Sequence, residues 1–253
     1  ILLTEELIDF MLQFENFKVL SISIDNRNNS IRKIANLKEK NWDQKWGHAE
    51  KMMAYFQKKK RELGHNCTLD SKTTILDENA KDLFDIHLYC LEDLNCDTHA
   101  FQFLKGHPIQ HADIMFKKED IFSKHNAHVY KDFDAIVSEL KKVKEYNIKN
   151  KRWGFLHPSA TSLIDPAEEF NIDSMNKKDL DRKSFKPCKA PWQSVHINTD
   201  GNVFPCMAIP MGNIRQGYEK IFKGERFKEF RNIIRKEGLV EGCNRCGWLK
   251  PND

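Results

Sequence analysis

The sequence lacks any apolar run long enough to span a membrane, and its first residues do not have the pattern of a signal peptide. It also has little net charge, because 41 Lys and Arg residues nearly balance 37 Asp and Glu residues and leave +4. Such a small excess does not indicate a nucleic-acid partner. Internal repeats and low-complexity tracts are absent as well. What remains is an ordinary globular chain of 253 residues, which can form one or two domains.

Cysteine is the residue type whose placement is most informative. The chain has 7 cysteines, and the last quarter of the sequence contains Cys188, Cys206, Cys243 and Cys246. The last two form a Cys-x-x-Cys pair, a spacing that lets two thiolates bind one metal centre from a single tight turn. This part of the chain is therefore the first candidate for a functional site.

The sequence between the first two of these cysteines predicts a β-hairpin. Residues 195–198 (Val-His-Ile-Asn) and 202–205 (Asn-Val-Phe-Pro) have strand character, and Asp200-Gly201 between them is a typical turn pair. A hairpin would bring Cys206 near the segment that carries Cys188. We therefore expect the four sulfur atoms to converge.

Spacing alone leaves three interpretations of such a cysteine cluster. Four thiolates suit an iron–sulfur cluster and suit structural zinc about equally well. A disulfide framework is less favoured, because the number of cysteines is odd and a large chain rich in Lys and Glu is typical of an intracellular protein. We therefore expect a cytoplasmic protein.

The wider pattern resembles the SPASM/twitch extension of radical S-adenosylmethionine (SAM) enzymes. Cys188 is followed after twelve residues by Gly201 and after four more by Cys206. Gly212-Asn213-Ile214, the segment 221–231 and the closing Cys-x-x-Cys also match that family. Full SPASM domains continue with two more cysteines, and here Asn252 stands where the first would fall. The pattern thus resembles the shorter twitch form.

This resemblance implies a ligand set. Cys188, Cys206, Cys243 and Cys246 would together bind one auxiliary 4Fe–4S cluster, and no other cysteine would do so. Gly242 and Gly247 flank the Cys-x-x-Cys pair and would let backbone N–H groups approach the sulfur atoms.

The front of the chain alternates between strand and helix patterns. Periodicity predicts a βαβ series, which implies parallel strands with right-handed crossovers. Helices are expected over residues 3–14, 48–63, 77–91 and 132–143, strands over 18–25, 65–75 and 98–104, and a connector over 151–186. This portion resembles the C-terminal half of a radical SAM partial barrel.

The first strand carries the candidate cofactor contacts. Leu20, Ile22 and Ile24 alternate with polar residues, and in a barrel the apolar set would pack on the outer helices. Ser23 and Asp25 would then face the lumen at the carboxyl end of the strand, where ligands of such barrels bind. Their Ser-x-Asp pattern resembles the family's strand, and this implies that both lie near SAM. A half-exposed strand of an open sheet is the alternative that the pattern leaves open.

One family motif is missing. The Cys-x-x-x-Cys-x-x-Cys that holds the SAM-binding cluster does not occur in the sequence, and Cys67, Cys90 and Cys96 do not reproduce it. We expect these three to be small buried residues. We also expect the N-terminal part of the barrel to precede this sequence, so that this chain alone does not cleave SAM. His107 and His111 are expected to be surface histidines.

The sequence as a whole therefore predicts an α/β fold. The C-terminal part of a partial (β/α) barrel would be followed by a small β-hairpin-plus-helix iron–sulfur domain. The expected boundaries are 1–118 for the barrel half, 119–186 for a helix and connector, and 187–253 for the twitch/SPASM domain.

The resemblance also implies a function for the complete protein. It would cleave SAM reductively with a second 4Fe–4S cluster and abstract hydrogen from a peptide or small-molecule substrate. The auxiliary cluster would handle an electron or orient the substrate, and the electron donor would be a protein such as flavodoxin or ferredoxin. The sequence does not choose the substrate. The alternative is a non-enzymatic module in which the four cysteines bind zinc and stabilise an interaction domain.

Overall fold

The structure is a computed structural model that describes residues 3–27, 31, 42–104, 106–110, 115–125, 127–152, 154–157, 176, 179–246, 248–250 and 252. The chain divides into two compact units. The first contains residues 1–102 and 130–166, and the second contains residues 103–129 and 167–253. The domain boundaries expected at 118 and 186 stay a prediction.

The first unit alternates helices and strands. Its helices are α1 (Glu5–Met11), α2 (Trp42–Glu62), α3 (Leu83–Leu88) and α4 (Phe133–Lys149). Its strands are β1 (Val19–Ser23), β2 (Thr68–Ile75), β3 (Thr98–Phe103) and β4 (Gly154–His157). The last residue of β3, Phe103, is assigned to the second unit. Local capping explains where α1 begins, since the Thr4 hydroxyl accepts a hydrogen bond from the Leu7 N–H at 3.2 Å.

The four strands form one sheet in the order β1-β2-β3-β4. The β1–β2 and β3–β4 pairs are parallel, and in the first of them Ser21 lies opposite Asp70 and Ser23 opposite Lys72. The mixed α/β class and the parallel pairing are as predicted from the βαβ pattern.

The apolar face of β1 packs against helices, as its period-two alternation predicted. Ile24 is fully buried, and Leu20 and Ile22 pack against the same core cluster, to which α1 contributes Ile8 and α2 contributes Phe56. The alternate side chains Ser21 and Ser23 lie on the exposed side of the strand. The sheet therefore has one apolar face and one polar face at β1.

Two predictions for this unit were wrong in detail. The helix expected from Asp77 begins only at Leu83 and continues into a π-helical turn, Tyr89–Asp93. The reason is Asn79, whose amide donates to the carbonyls of Asp25 at 2.8 Å and Thr74 at 2.9 Å and so holds a turn instead of a helix. The connector expected over 151–186 contains β4, which pairs with β3.

The second unit consists of short elements. Its strands are β5 (His196–Ile197), β6 (Asn202–Phe204) and β7 (Gly212–Asn213), and its helices are α5 (Ala190–Gln193), α6 (Tyr218–Phe222) and α7 (Glu225–Glu237), with 3-10 turns at Pro108–Gln110, Lys118–Phe122, Arg182–Ser184, Ile214–Gln216 and Glu241–Cys243. The strands form an antiparallel sheet in the order β5-β6-β7. Helix α7 buries Phe227, Phe230 and Ile234, which lie on one side of the helix.

No helix in the described part of the chain combines the length and apolarity needed to cross a bilayer.

Candidate metal centre

The tight antiparallel pair β5–β6 sets the position of Cys206. His196 lies opposite Phe204, and the turn between the strands is held by the Asn198 side chain, which accepts hydrogen bonds from the N–H groups of Asp200 at 3.1 Å and Asn202 at 2.9 Å. Gly201 in this turn has φ +82°, a conformation that favours glycine. Cys206 follows β6 by two residues, so the turn fixes where its thiol lies.

The Cys-x-x-Cys pair forms the single tight turn that its spacing predicted. The Cys246 N–H donates to the Cys243 carbonyl at 3.0 Å, and Arg245 between them has φ +52°. Arg245 is buried, and its guanidinium donates a hydrogen bond to the carbonyl of His128. Both cysteines are therefore presented from one short, internally bonded loop.

A segment that sequence reasoning did not connect with the cysteines supports this turn. The Gln110 side-chain amide donates to the carbonyls of Gly242 at 3.0 Å and Asn244 at 2.6 Å. The Gly106 N–H also donates to the Asn244 carbonyl, at 3.3 Å. Residues 106–110 thus bind the backbone of the Cys-x-x-Cys turn, and no local signal in the sequence could have shown it.

The expectation of a surface histidine at position 107 was wrong. His107 is 1 % exposed, and its Nε2 lies 3.0 Å from the Ser123 carbonyl. Burial lowers the pKa of His107 below its ordinary value. His111 lies outside the described residues.

All four predicted ligands line one cavity. Cys188, Cys206, Cys243 and Cys246 border the same space, and the remaining lining is mostly apolar: Gln110, Ala190, Pro191, Met207, Ile234, Gly242, Trp248 and Leu249. All 7 cysteines are described residues, and none forms a disulfide. The structure therefore brings the four thiols together without joining them.

The pKa values of these thiols are raised because the thiols are buried and lie close together. Burial raises the pKa of Cys206 well above its usual range, and negative charge on the other three cysteines raises it further. Burial likewise raises the pKa of Cys243 to about 12 and raises that of Cys188. Without a cation, these thiols stay protonated at neutral pH. A site of this kind holds thiolates only when a positively charged centre stabilises them.

The donor set fits an iron–sulfur cluster. Thiolates are the ligands that such clusters use, and a dry apolar surround with hydrogen bonds to sulfur is the environment that sets their potentials. The Ala190 N–H donates to the Cys188 sulfur at 3.4 Å. Among the described residues, no group of three or more His, Cys, Asp or Glu side chains has the arrangement that would hold a single metal ion.

The prediction that Gly242 and Gly247 let backbone N–H groups approach the sulfur atoms stays a prediction. An added Cβ at Gly242 would come within 3.1 Å of the side chains of Ile109 and Met207, so this position is tightly packed. The N–H donor to sulfur named above belongs to Ala190 instead. Gly247 lies outside the described residues.

The other cysteines lie in the first unit and are buried, as predicted. Burial raises the pKa of Cys96 to about 12 and raises those of Cys67 and Cys90 as well. These thiols are therefore poor nucleophiles at neutral pH.

Ser23 and Asp25 lie at the carboxyl end of β1 in the first unit. Ser23 is exposed, whereas Asp25 is 5 % exposed and its carboxylate accepts a hydrogen bond from the Thr74 N–H at 2.9 Å. Their role towards SAM stays a prediction.

Comparison with known proteins gives three results. Residues 188–247 match the family model of SPASM, described as an iron–sulfur cluster-binding domain. A comparison with curated protein sequences finds no match. Among solved structures, that of a histidine-tagged "anSMEcpe with bound AdoMet" is similar with a TM-score of 0.56 and 16% sequence identity, and the alignment covers 98% of this chain and 58% of that one.

The first finding confirms the resemblance to SPASM, because the matched range begins at Cys188 and includes Cys206, Cys243 and Cys246. The third shows that the fold of the chain is similar to that of the solved structure with bound AdoMet, of which the chain spans 58%.

Proposed function

We propose that this chain is part of a radical SAM enzyme and that Cys188, Cys206, Cys243 and Cys246 ligate one auxiliary 4Fe–4S cluster. The observation that carries the proposal is the single cavity lined by all four cysteines, inside the range that matches the iron–sulfur domain. Four thiolates complete the coordination of such a cluster, so no iron is left open for a substrate.

The chain's own groups prepare this site for a cluster. The turn at 243–246 and the β5–β6 pair hold the ligands before any metal binds, because their hydrogen bonds are local. The Ala190 N–H stabilises negative charge on the Cys188 sulfur. Because the thiols must lose their protons on binding, iron uptake releases protons and is favoured by higher pH.

The polar face of the sheet in the first unit is the proposed surface for SAM and substrate. Asp70 accepts hydrogen bonds there from the hydroxyls of Ser21 at 2.9 Å and Thr98 at 2.7 Å, and Lys72 lies 3.7 Å from the same carboxylate. Ser23 lies opposite Lys72 on the neighbouring strand. These groups offer both donors and acceptors to a polar ligand.

We assign Ser23 and Asp25 to the SAM-binding end of this face. Asp25 ties the end of β1 to β2 through its bond from Thr74, and it thereby positions Ser23. Support comes from the solved structure with a similar fold, which is named as binding AdoMet. The complete enzyme would act on a peptide or a small molecule and would receive electrons from a protein donor.

When bound, SAM and its reducing cluster would supply radical chemistry for removing a hydrogen atom from the substrate, and the auxiliary cluster would supply a site for one electron. The role of this chain is to bind and orient the substrate and these groups and to exclude water from them. The apolar lining of the cysteine cavity, from Met207 and Leu249 among others, serves the last of these.

Anaerobic reconstitution with iron and sulfide tests the ligand assignment. We expect about four irons per chain and a brown protein with broad visible absorption. Replacing Cys188, Cys206, Cys243 or Cys246 with Ala should lower the iron content, because each removes one of the four thiolates.

Cys67→Ala is the matched control, since Cys67 is a buried thiol in the other unit. It should leave the iron content unchanged. Full iron in Cys243→Ala or Cys246→Ala would contradict the assignment, and so would one tightly bound zinc with no iron.

A further inference from the structure

Cys188 lies in a short stretch of chain that has little structure of its own. We call residues 187–195 the Cys188 segment. Every residue of it is described, and its one element is the four-residue helix α5. The bonds of that helix, such as the one from the Ser194 N–H to the Ala190 carbonyl at 3.0 Å, stay within the segment. Because a single helical turn is not stable by itself in water, the position of Cys188 depends on contacts from other segments.

The other three proposed ligands are tied to a second segment by hydrogen bonds. Two residues after Cys206, the Ala208 N–H donates to the Ile109 carbonyl at 2.7 Å. The Cys-x-x-Cys turn receives the bonds from Gln110 described above. These three thiols are therefore held by residues 106–110, which belong to the same unit.

The Cys188 segment receives one comparable bond, and it comes from α7. Arg231 Nε donates to the Pro191 carbonyl at 3.0 Å, and in the described part of the chain no other hydrogen bond reaches the segment from outside it. Pro191 is buried and lines the cysteine cavity three residues after Cys188. This bond therefore acts on the cavity wall next to the thiol.

Arg231 is itself held in a fixed position. Its guanidinium carbon lies 4.0 Å from the centre of the Phe222 ring and 4.8 Å from that of Phe227. Its Nη1 donates to the Phe222 carbonyl at 2.8 Å. Because a planar guanidinium stacked in this way has little freedom left to lose, its bond to Pro191 costs little entropy to form.

The packing of Arg231 does not by itself explain a cation at this position. Its Nη2 is buried and has no hydrogen-bond partner among the described residues. A buried donor without a partner costs free energy, and an apolar side chain is often at least as stable as a buried charge. The carbonyl that Arg231 binds in the neighbouring segment explains the residue better.

A second cation on the same face of α7 also contacts the segment. Arg235 lies one turn after Arg231, and its guanidinium carbon is 5.7 Å from the centre of the Trp192 ring, next to Pro191 in sequence. Such a contact at an exposed site is weaker than a hydrogen bond from a charged donor. Helix α7 thus holds α5 at two points, of which Arg231 is the stronger.

We propose that Arg231 is a positioning residue that keeps the Cys188 thiolate on the cluster, with Arg235 as its weaker partner. This rests on the proposed function, because it requires a cluster at the four cysteines. When the bond to Pro191 is lost, the Cys188 segment should leave the cavity wall more often, while the other three ligands stay held by residues 106–110. The cluster would then have one iron without a thiolate.

The test compares variants that are reconstituted anaerobically with iron and sulfide. Arg231→Met removes the bond but still fills the space between the two rings, because methionine is apolar and flexible. Arg226→Met is the matched control, since Arg226 lies on the same helix and also donates to a proline carbonyl, that of Pro210, at 3.4 Å. Pro210 does not line the cysteine cavity. Cys188→Ala shows the behaviour of a cluster that has three thiolates.

Mild oxidation with ferricyanide detects an iron that lacks a thiolate, because such an iron is readily lost. A 4Fe–4S cluster of charge 2+ then becomes a 3Fe–4S cluster of charge 1+ and releases one Fe²⁺ ion and one electron, which ferricyanide accepts. The 3Fe–4S product has an EPR signal, whereas the starting cluster has none.

We expect this signal to be at least about 5-fold larger in Arg231→Met than in the unmodified protein, and to approach that of Cys188→Ala. The reason is that a hydrogen bond from a charged donor shifts the equilibrium between a held and a released segment by about 10-fold or more. The signal of Arg226→Met should stay within about 2-fold of that of the unmodified protein.

A signal in Arg231→Met no larger than that in Arg226→Met would overturn the proposal. So would a loss of all iron from Arg231→Met without the 3Fe–4S signal, because the whole site and not the Cys188 segment would then be disturbed. Urea denaturation of the metal-free variant shows whether it folds.

Arg235→Met provides the test if Arg231→Met has no cooperative urea transition, since Arg235 is exposed and its loss should be tolerated. Its signal should exceed that of Arg226→Met by about 2-fold, and an equal signal would overturn the proposal. Failure of the proposed function is visible separately, as an iron content far below about four per chain in the unmodified protein before any oxidation.

Discussion

At the scale of single residues, the candidate site depends on positions where a side chain has no room. An added Cβ at Gly106 would lie 2.9 Å from the Asn244 carbonyl oxygen and 2.8 Å from its side chain. We expect Gly106→Ala to lower the free energy of unfolding by about 1–3 kcal/mol, because backbone must move to relieve the contact. Urea denaturation of the metal-free protein measures this.

Gly47→Ala is the matched control for that prediction. Gly47 lies inside α2, and an added Cβ there would meet nothing within 4 Å. Alanine should therefore stabilise the protein by about 0.5–1 kcal/mol, through its better helix propensity. A Gly106→Ala protein as stable as Gly47→Ala would show that residues 106–110 do not pack on the Cys-x-x-Cys turn as described.

Gln110 is a second residue on which the candidate site depends. Its amide donates to the carbonyls of Gly242 and Asn244, and in Gln110→Glu a carboxylate oxygen would face those carbonyl oxygens. We expect a loss of about 1–3 kcal/mol in stability and weaker iron retention against a chelator. Gln193→Glu changes the same amide at an exposed site in α5 and should do neither. Unchanged iron retention in Gln110→Glu would count against a supporting role for this residue.

At the scale of elements, the first unit is joined internally by a buried chain of polar groups. His87 of α3 and His99 of β3 place their Nδ1 atoms 2.8 Å apart, and His99 Nε2 lies 2.8 Å from the Thr73 hydroxyl. His87 Nε2 lies 2.8 Å from the Asn147 side chain of α4. Each imidazole therefore has a polar neighbour at both nitrogens, and burial disfavours the charged form of either ring.

This arrangement predicts a dependence of stability on pH. Burial lowers the pKa of His87 to about 4 and that of His99 well below its usual value, and both histidines titrate near 6.5 when unfolded. The unfolded chain therefore binds more protons below about pH 6.5, and stability should fall as the pH drops from there towards 4. Each histidine contributes up to about 1.4 kcal/mol per pH unit.

Urea midpoints measured between pH 5 and 8 check this. His196→Gln, at an exposed histidine of β5, should leave the slope unchanged, and His87→Gln should reduce it at a cost in overall stability. A midpoint that is flat from pH 7 to 5 in the unmodified protein would show that the pair is not kept neutral.

Local patterns predicted some elements well and others not at all. The first helix and the alternation of β1 depend on residues a few positions apart, so the sequence shows them directly. The delayed start of α3 depends on Asn79 bonding to Asp25, a contact between distant segments. Strand β4 was not predicted for the same reason, because it is defined by its pairing with the distant strand β3.

The convergence of the four cysteines was predictable for a similar reason. Cys-x-x-Cys and the turn before Cys206 are local signals, whereas the bonds from Gln110 to the Cys-x-x-Cys turn join residues 132 and 134 positions apart in the chain. Sequence reasoning therefore predicted that these cysteines lie together and missed the segment that supports them.

At the scale of the whole molecule, the distribution of cysteines limits what this chain can do alone. Four of its 7 cysteines line one cavity, and the other three are buried in the first unit with raised pKa values. A cluster that cleaves SAM needs an open iron and a cysteine triplet. The cluster proposed at the first group would use all four thiolates, and the second group does not have the triplet spacing. We therefore expect that the 253-residue chain, reconstituted and reduced, forms no 5′-deoxyadenosine from SAM above the level of a protein-free mixture.

Chromatography of the quenched reaction measures the 5′-deoxyadenosine, with an intact radical SAM enzyme as the positive control. Product from this chain that persists in Cys188→Ala would reveal a SAM-cleaving site outside the four-cysteine centre, and product that disappears in that variant would show that the centre keeps an open iron.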